Sequence, residues 1–277
     1  MLRRVGGYLL PRKATAPRAS HKLEREGYAV IRGAFSPRAI APLRNEIVEL
    51  YASQPDDGRA RLDDSHFRYE MFNKSPRAQK VVARREILDV IEPLLGEDCH
   101  IIANTCWRNP VEEEGRRGGA WHIDAGPHIP RAKGTKWPAR IPYPVFAIGC
   151  HIYLEDCPMA CGPTGVIPGS HKSGRPPPLR GLMDASLTCD GIGVKTLTAR
   201  AGDVALFVSD LWHRRMPTRA GDFGRFFLQV HYARRDIAQR IKTTEDVHHI
   251  DDAARARIRS TRERRLLGIH PPGFYDG

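Results

Sequence analysis

No run in these 277 residues approaches the roughly 18 apolar residues of a membrane-spanning helix, which excludes that architecture. The N-terminus has only short apolar patches and lacks the core of a secretory signal. The six cysteines are Cys99, Cys106, Cys150, Cys157, Cys161 and Cys189. None forms a C-x-x-C, and the Cys157/Cys161 pair has no second pair to complete a zinc site. They read as buried free thiols in a reducing compartment, which makes the protein cytoplasmic. Acid is missing from residues 1–23, which carry Arg3, Arg4, Arg12, Lys13, Arg18 and Lys22. That segment reads as a basic arm in preference to a mitochondrial transit peptide. There is no internal repeat and no low-complexity tract.

What is present is a foldable chain with an excess of arginine. Hydrophobic residues make up 41%, enough for a sizeable core without disulfide or metal staples. The net charge is +12, and arginines (35) far outnumber lysines (9). Such a balance raises nucleic acid, an anionic membrane surface or an anionic small substrate as partners. Nucleic-acid binding asks for clustered Lys/Arg with interleaved aromatics or a known module, and neither is found. The expected partner is therefore a small molecule, with no nucleic acid and no membrane.

Hydrophobic periodicity orders the chain. A short helix is expected near His21–Glu26 and a strand over Tyr28–Gly33. Ser36 and Pro37 read as N-cap and first residue of a helix reaching about Ser53. A second apolar stripe predicts a helix over Arg85–Leu95, ending at Gly96. From residue 98 short β-prone runs alternate with Gly/Pro turns: His100–Trp107, Gly119–Ile123, Val145–Leu154, Gly165–Ile167, Val194–Thr198, Asp203–Val208 and Arg225–Tyr232. Many short strands at turn-marked spacing predict a sandwich or barrel. Asp251–Leu267 returns to helix, with a solvated basic face.

Chemistry concentrates at Trp121-His122-Ile123-Asp124. In a strand, residues two apart share a face, so His122 and Asp124 can reach one point. An imidazole and a carboxylate with a second histidine form the facial triad of non-haem Fe(II) oxygenases, which leaves open positions on the metal. Alone, H-x-D is a weak signal, and the chain holds a second copy, His249-Ile250-Asp251. That copy sits at an expected helix start, where Asp251 reads as an N-cap. The first copy has a partner in His213, after the apolar run Gly202–Val208. Arg225 follows and opens the last strand. A guanidinium there can grip the far carboxylate of a 2-oxo diacid.

In this order the residues resemble the phytanoyl-CoA dioxygenase family of Fe(II)/2-oxoglutarate oxygenases. His122-x-Asp124, His213 and Arg225 follow its H-x-D…H…R pattern. Cys161-Gly-Pro-Thr-Gly-Val-Ile-Pro-Gly-Ser-His-Lys172 is similar to its N-G-P-L-x-V-I-P-G-S-H-K signature. The resemblance runs over roughly residues 20–270. It implies a mainly β fold, a double-stranded β-helix (jelly-roll, cupin-like) core with flanking α-helices. It implies an arm over 1–20 and a single oxygenase domain over 21–277. Within that domain it implies helical support at 36–96, the core at about 98–235, and a C-terminal helix and tail at 236–277. It implies Fe(II) on His122, Asp124 and His213 as the catalytic centre, 2-oxoglutarate as cosubstrate on Arg225, and O2. The implied reaction is hydroxylation of an aliphatic C–H with release of succinate and CO2. Desaturation, epimerisation or ring closure of a natural-product intermediate shares the ligand set. A non-catalytic jelly-roll binding protein is set aside because the full triad is present. Related halogenases have Gly or Ala in place of the carboxylate, so Asp124 argues for C–H oxidation. Arg214 and Arg215 stand where the family often has Gly-Ser, so the second grip on the oxo acid falls to Thr105 or Thr218.

The segment Ala125–Pro144 follows directly and contains no acid. Arg131, Lys133, Lys136, Trp137 and Arg140 make it a candidate cover for the substrate, favouring an anion; Arg108, Arg116 and Arg117 would extend the same field, but Glu112, Glu113 and Glu114 beside them argue for local neutralisation instead. A solvated basic loop is the other reading, and both stay open here. His151 alternates with apolar residues and reads as a core histidine or as support for the site.

Overall fold

The computed structural model describes residues 15–53, 67–111, 118–238 and 250–270. The basic residues before Thr15, Arg116, Arg117, His249 and the tail after His270 lie outside the described residues. Helices α1 (Thr15–Glu26), α2 (Pro37–Ser53), α3 (Met71–Lys74), α4 (Pro76–Val81) and α5 (Arg85–Leu95) are interspersed along the chain with strands β1 (Tyr28–Ile31) and β2 (Phe67–Tyr69). Then come β3 (His100–Asn109), β4 (Ala147–Tyr153), β5 (Thr164–Val166), β6 (Lys195–Leu197), β7 (Val204–Val208), β8 (His213–Arg215) and β9 (Arg225–Ala233). Helices α6 (Asp252–Ala256) and α7 (Thr261–Leu266) close the described chain. One antiparallel sheet has the order β1-β7-β4-β9-β3-β2, and a smaller one the order β6-β5-β8. Two antiparallel sheets with crossed order make the expected jelly-roll core. Helical residues outnumber strand residues, so "mainly β" describes that core and not the residue count.

The two faces of the large sheet explain where the site lies. Along β9, Phe226, Leu228, Val230 and Tyr232 join a core that also holds Ile40, Leu43 and Ile47 of α2 and Ile87 and Ile91 of α5. The alternate residues Arg225, Phe227, Gln229 and His231 face the other way, into the space between the sheets. β4 repeats the pattern: Ile148, Cys150 and Ile152 belong to the helix-facing core, and Tyr153 packs with Phe207 and Phe227 between the sheets. An eleven-residue helix such as α5 is marginal alone. Five buried side chains, each contributing about 1.5–3 kcal/mol, hold it on the sheet.

Local signals explain the ends of the elements. Ser36 Oγ accepts from Ala39 N at 3.2 Å, capping α2 as expected. Asp251 Oδ1 accepts from Ala254 N at 2.7 Å, so the second H-x-D supplies an N-cap. The helix expected near His21 begins at Thr15 instead, which makes residues 15–20 helical and buries Ser20. The single C-terminal helix expected over Asp251–Leu267 is two helices, α7 having its own cap where Ser260 Oγ accepts from Glu263 N. No helix among the described residues is long and apolar enough to cross a membrane. All six cysteines are free and buried.

Candidate metal centre

The strand expected over Gly119–Ile123 does not form. Only His122 is paired, by a bridge to His213. Each residue's N–H donates to the other's carbonyl at 3.0 Å, and the imidazole centroids stand 4.2 Å apart. Directly opposite residues of such a pair project to one face. The reason the bridge does not extend lies on both sides of it. On one side Gly119 N still donates to Arg215 O at 3.0 Å, and the backbone then turns at Gly118, φ +76°, where a side chain would strike Arg215 O. Asp124 N turns away to donate to Ser209 O at 3.0 Å. His213 does not continue the strand formed by the apolar run before it: that strand ends at Val208, and His213 opens β8 in the small sheet.

Both imidazoles are held by the same device. His122 Nδ1 is 2.9 Å from Ala120 O, and His213 Nδ1 is 2.9 Å from Leu211 O. A carbonyl only accepts, so each Nδ1 carries the proton and each Nε2 presents its lone pair. Asp124 Oδ1 lies 3.4 Å from His213 Nε2 and 3.9 Å from His122 Nε2. One donor atom from each of the three residues lies within 4.8 Å of the others. Burial opposes the Asp124 charge, but His213, His231 and His122 outweigh it and hold the carboxyl well below the usual range. Burial, helped by His213, lowers the basicity of His122. Burial also works against a proton on His213, but Asp124 overrides it; that carboxylate favours a metal cation for the same reason. Two imidazoles and one carboxylate on one face are a donor set that fits Fe(II), a cation there taking the place of the proton that Asp124 favours on His213.

Arg225 stands on the same inward face at the start of β9. It is 7% exposed, and its Nε donates to Asn109 Oδ1 at 2.9 Å. Its guanidinium lies over the Phe227 ring at 5.0 Å. Burial, with Arg215 adding repulsion, pulls its pKa down to about 10, so it stays charged at neutral pH. Among the described residues no carboxylate comes within ion-pair distance of it. A buried cation in this state favours a bound anion. Thr105 shares the lumen, its hydroxyl donating to Gln229 Oε1 at 3.4 Å. Thr218 is buried with its methyl against Gly162. Arg214 lies on the opposite face of β8 from His213, over the Trp121 ring. His151 is buried among Phe227, Phe207 and Tyr153, and burial and Arg225 keep it neutral.

The loop after Asp124 is anchored at its root. Asp210 accepts from Tyr143 Oη at 2.9 Å, His128 N at 3.1 Å and His128 Nδ1 at 2.5 Å. Arg131 folds back on its own loop, donating to Lys136 O and lying over Trp137 at 5.5 Å. Lys133, Lys136 and Arg140 are exposed. Across the centre, Trp121 Nε1 donates to Asp184 O at 2.6 Å and Trp212 Nε1 to Arg175 O at 2.7 Å. Each tryptophan immediately precedes a candidate ligand histidine.

Sequence reasoning passed over Gln229, His231 and Asn109. Counting by twos from Arg225 would have found the first two; Asn109 needs the β3–β9 register, which sets it opposite Arg225. The Asp210 network carries no signal in the sequence.

A jelly roll with a two-histidine, one-carboxylate face is the arrangement found in non-haem Fe(II) oxygenases. The chain belongs to the phytanoyl-CoA dioxygenase family, whose model matches residues 23–223, and so is an Fe(II)- and 2-oxoglutarate-dependent dioxygenase. No curated protein matches the sequence. Solved structures share the fold. The alpha-ketoglutarate-dependent epimerase SnoN from nogalamycin biosynthesis is 19% identical, with a TM-score of 0.62 over 85% of this chain and 89% of that one. EctD from S. alaskensis is 22% identical, with a TM-score of 0.62 over 85% and 82%. HygX from Streptomyces hygroscopicus, solved with nickel and 2-oxoglutarate, is 17% identical, with a TM-score of 0.59 over 78% and 86%.

Proposed function

We propose that the protein hydroxylates an aliphatic C–H of a small anionic molecule, with His122, Asp124 and His213 as the metal ligands. The observation that carries this reading is the convergence of the three donor atoms, with both imidazoles fixed by backbone carbonyls. When bound, Fe(II) with 2-oxoglutarate and O2 supplies the oxidation, leaving succinate and CO2. Arg225 binds the far carboxylate of the cosubstrate, fixed in direction by Asn109 and flanked by Phe227, which excludes water. Thr105 and Thr218 are the further candidates for holding the oxo acid. Asp124 supports C–H oxidation over halogenation, since it fills a coordination position with a carboxylate.

The acid-free loop supports an anionic substrate. Lys133, Lys136 and Arg140 are exposed and available, with Trp137 as an apolar wall and Arg131 stiffening the loop. We assign one oxygenase domain, placed from residue 21 by the sequence and joined by residues 15–20 through helix α1, with the basic residues before it as the arm. The buried thiols support a reducing compartment such as the cytoplasm.

The test is anaerobic reconstitution with Fe(II) and 2-oxoglutarate, followed by oxygen and a panel of carboxylates and phosphates. Succinate release with a product 16 mass units heavier is expected. A product lighter by two units, or of unchanged mass, replaces hydroxylation with desaturation, ring closure or epimerisation. Undiminished 2-oxoglutarate turnover in His122→Ala and His213→Ala would overturn the reading.

A further inference from the structure

Behind the carboxylate of Asp124 runs a chain of polar side chains on the inward face of β3 and β9. It begins at Trp107, whose indole Nε1 lies 2.5 Å from Gln229 Oε1. An indole N–H only donates, so that atom of Gln229 is the amide oxygen. The Thr105 hydroxyl donates to the same oxygen at 3.4 Å. The Gln229 NH2 group is thereby turned toward His231, 2.9 Å from its Nε2. An amide NH2 only donates, so His231 Nε2 accepts and the ring carries its proton on Nδ1. That Nδ1 faces Asp124 Oδ2 at 3.8 Å, while Asp124 Oδ1 is the oxygen nearest both His213 and His122. His231 is 8% exposed, so its dipole acts in a medium that screens it weakly. The gap is longer than a direct hydrogen bond, so the contact aligns a dipole and does not clamp the oxygen.

We infer that His231 is a positioning residue for the metal carboxylate: Gln229 fixes its tautomer, and its Nδ1–H steers Asp124 Oδ2 so that Oδ1 is presented to the ion. This rests on the metal-centre reading of His122, Asp124 and His213. Trp107, Gln229 and His231 form one unit, so their effects are not additive. Each break lets Asp124 rotate, and supports of this kind change metal affinity by about 10- to 100-fold.

The test is Co(II) affinity, read by the visible absorption of the bound ion in the full-length protein without oxygen or cosubstrate. His231→Leu is expected to weaken binding by at least about 10-fold. His231→Asn, which puts an amide N–H where Nδ1 stood, is expected to recover most of the loss. Trp107→Phe, which keeps the ring and removes the donor, is expected to weaken binding with Gln229 intact, and serves if His231→Leu does not fold. Equal Co(II) affinity in wild type, His231→Leu and Trp107→Phe overturns the inference alone. Equal weakening in His231→Leu and His231→Asn also overturns it, since ring packing would then be responsible. A wild-type protein that binds no Co(II) overturns the metal-centre reading, and the inference with it.

Discussion

Asp124 Oδ1 stands 3.4 Å from His213 Nε2, closer than to His122 Nε2, its neighbour in sequence, at 3.9 Å. An ion seated among these atoms binds the folded chain and not the unfolded one. At 100 times its Kd it adds about 2.7 kcal/mol of stability. Mn(II) is expected to raise the melting temperature of the wild type by several degrees, reversibly with a chelator. Asp124→Ala is expected to lose most of that shift. Scanning calorimetry decides it: an equal shift in both proteins would place the ion elsewhere.

Arg225 is expected to govern the cosubstrate and not the metal. Charge-assisted hydrogen bonds contribute about 1.5–3 kcal/mol, so Arg225→Ala is expected to raise the KM for 2-oxoglutarate about 10- to 100-fold. Arg225→Lys keeps the charge but not the fork held by Asn109, and falls between. Mn(II) affinity should stay unchanged in both. A KM that does not move would remove Arg225 from the cosubstrate site.

Asp210 ties the basic loop to the turn that leads into His213. Asp210→Asn replaces one acceptor oxygen with a donor, which then faces Tyr143 Oη or His128. We expect about 1–3 kcal/mol of lost stability. Hydrogen exchange should accelerate over residues 125–144 while β4 and β9 keep their protection. Uniform acceleration over the whole chain would mean that Asp210 supports the fold and not the loop.

His171 is expected to give stability a pH dependence. Its Nε2 donates to Glu24 O at 3.0 Å, and its Nδ1, the lone-pair nitrogen of that tautomer, is buried without a hydrogen-bond partner. Burial lowers its pKa from 6.5 to about 4. The unfolded chain therefore takes up this proton first as pH falls. The stabilisation is complete above about pH 6.5 and is lost as pH falls toward 4, by roughly 3 kcal/mol. His171→Gln keeps a donor to Glu24 O and cannot titrate. Urea unfolding should show wild type and variant diverging only below pH 6.5. Parallel pH profiles would refute the assignment.

Where the chain's own periodicity decides the structure, the sequence is readable. Helix α5 spans the stripe Ile87, Val90, Ile91, Leu95, and its bounds match expectation. β9 alternates because one face meets helices and the other the lumen. The decoy at Asp251 was legible because an N-cap is a local event. Where a long-range partner decides, reading fails. His122 reaches its place through two hydrogen bonds to His213, not through a strand of its own. His213 belongs to the small sheet because Val166 pairs with it, and no local pattern announces that pairing. Helices α3 and α4 went unnoticed because they are four and six residues long, too short to show a period.

The two tryptophans leave a further consequence. Trp121 and Trp212 hold the carbonyls of Asp184 and Arg175, and the chain between those points carries Leu179, 88% exposed. Both fastenings are to backbone oxygen, as is a third, Trp121 N to Leu182 O at 2.8 Å, and Leu182 packs with the two tryptophans. The stretch is in effect a cassette. Between Arg175 and Leu182 it is expected to tolerate a change of length or sequence with its clasps intact, so the chain beside the two tryptophans can diverge while the histidines keep their register.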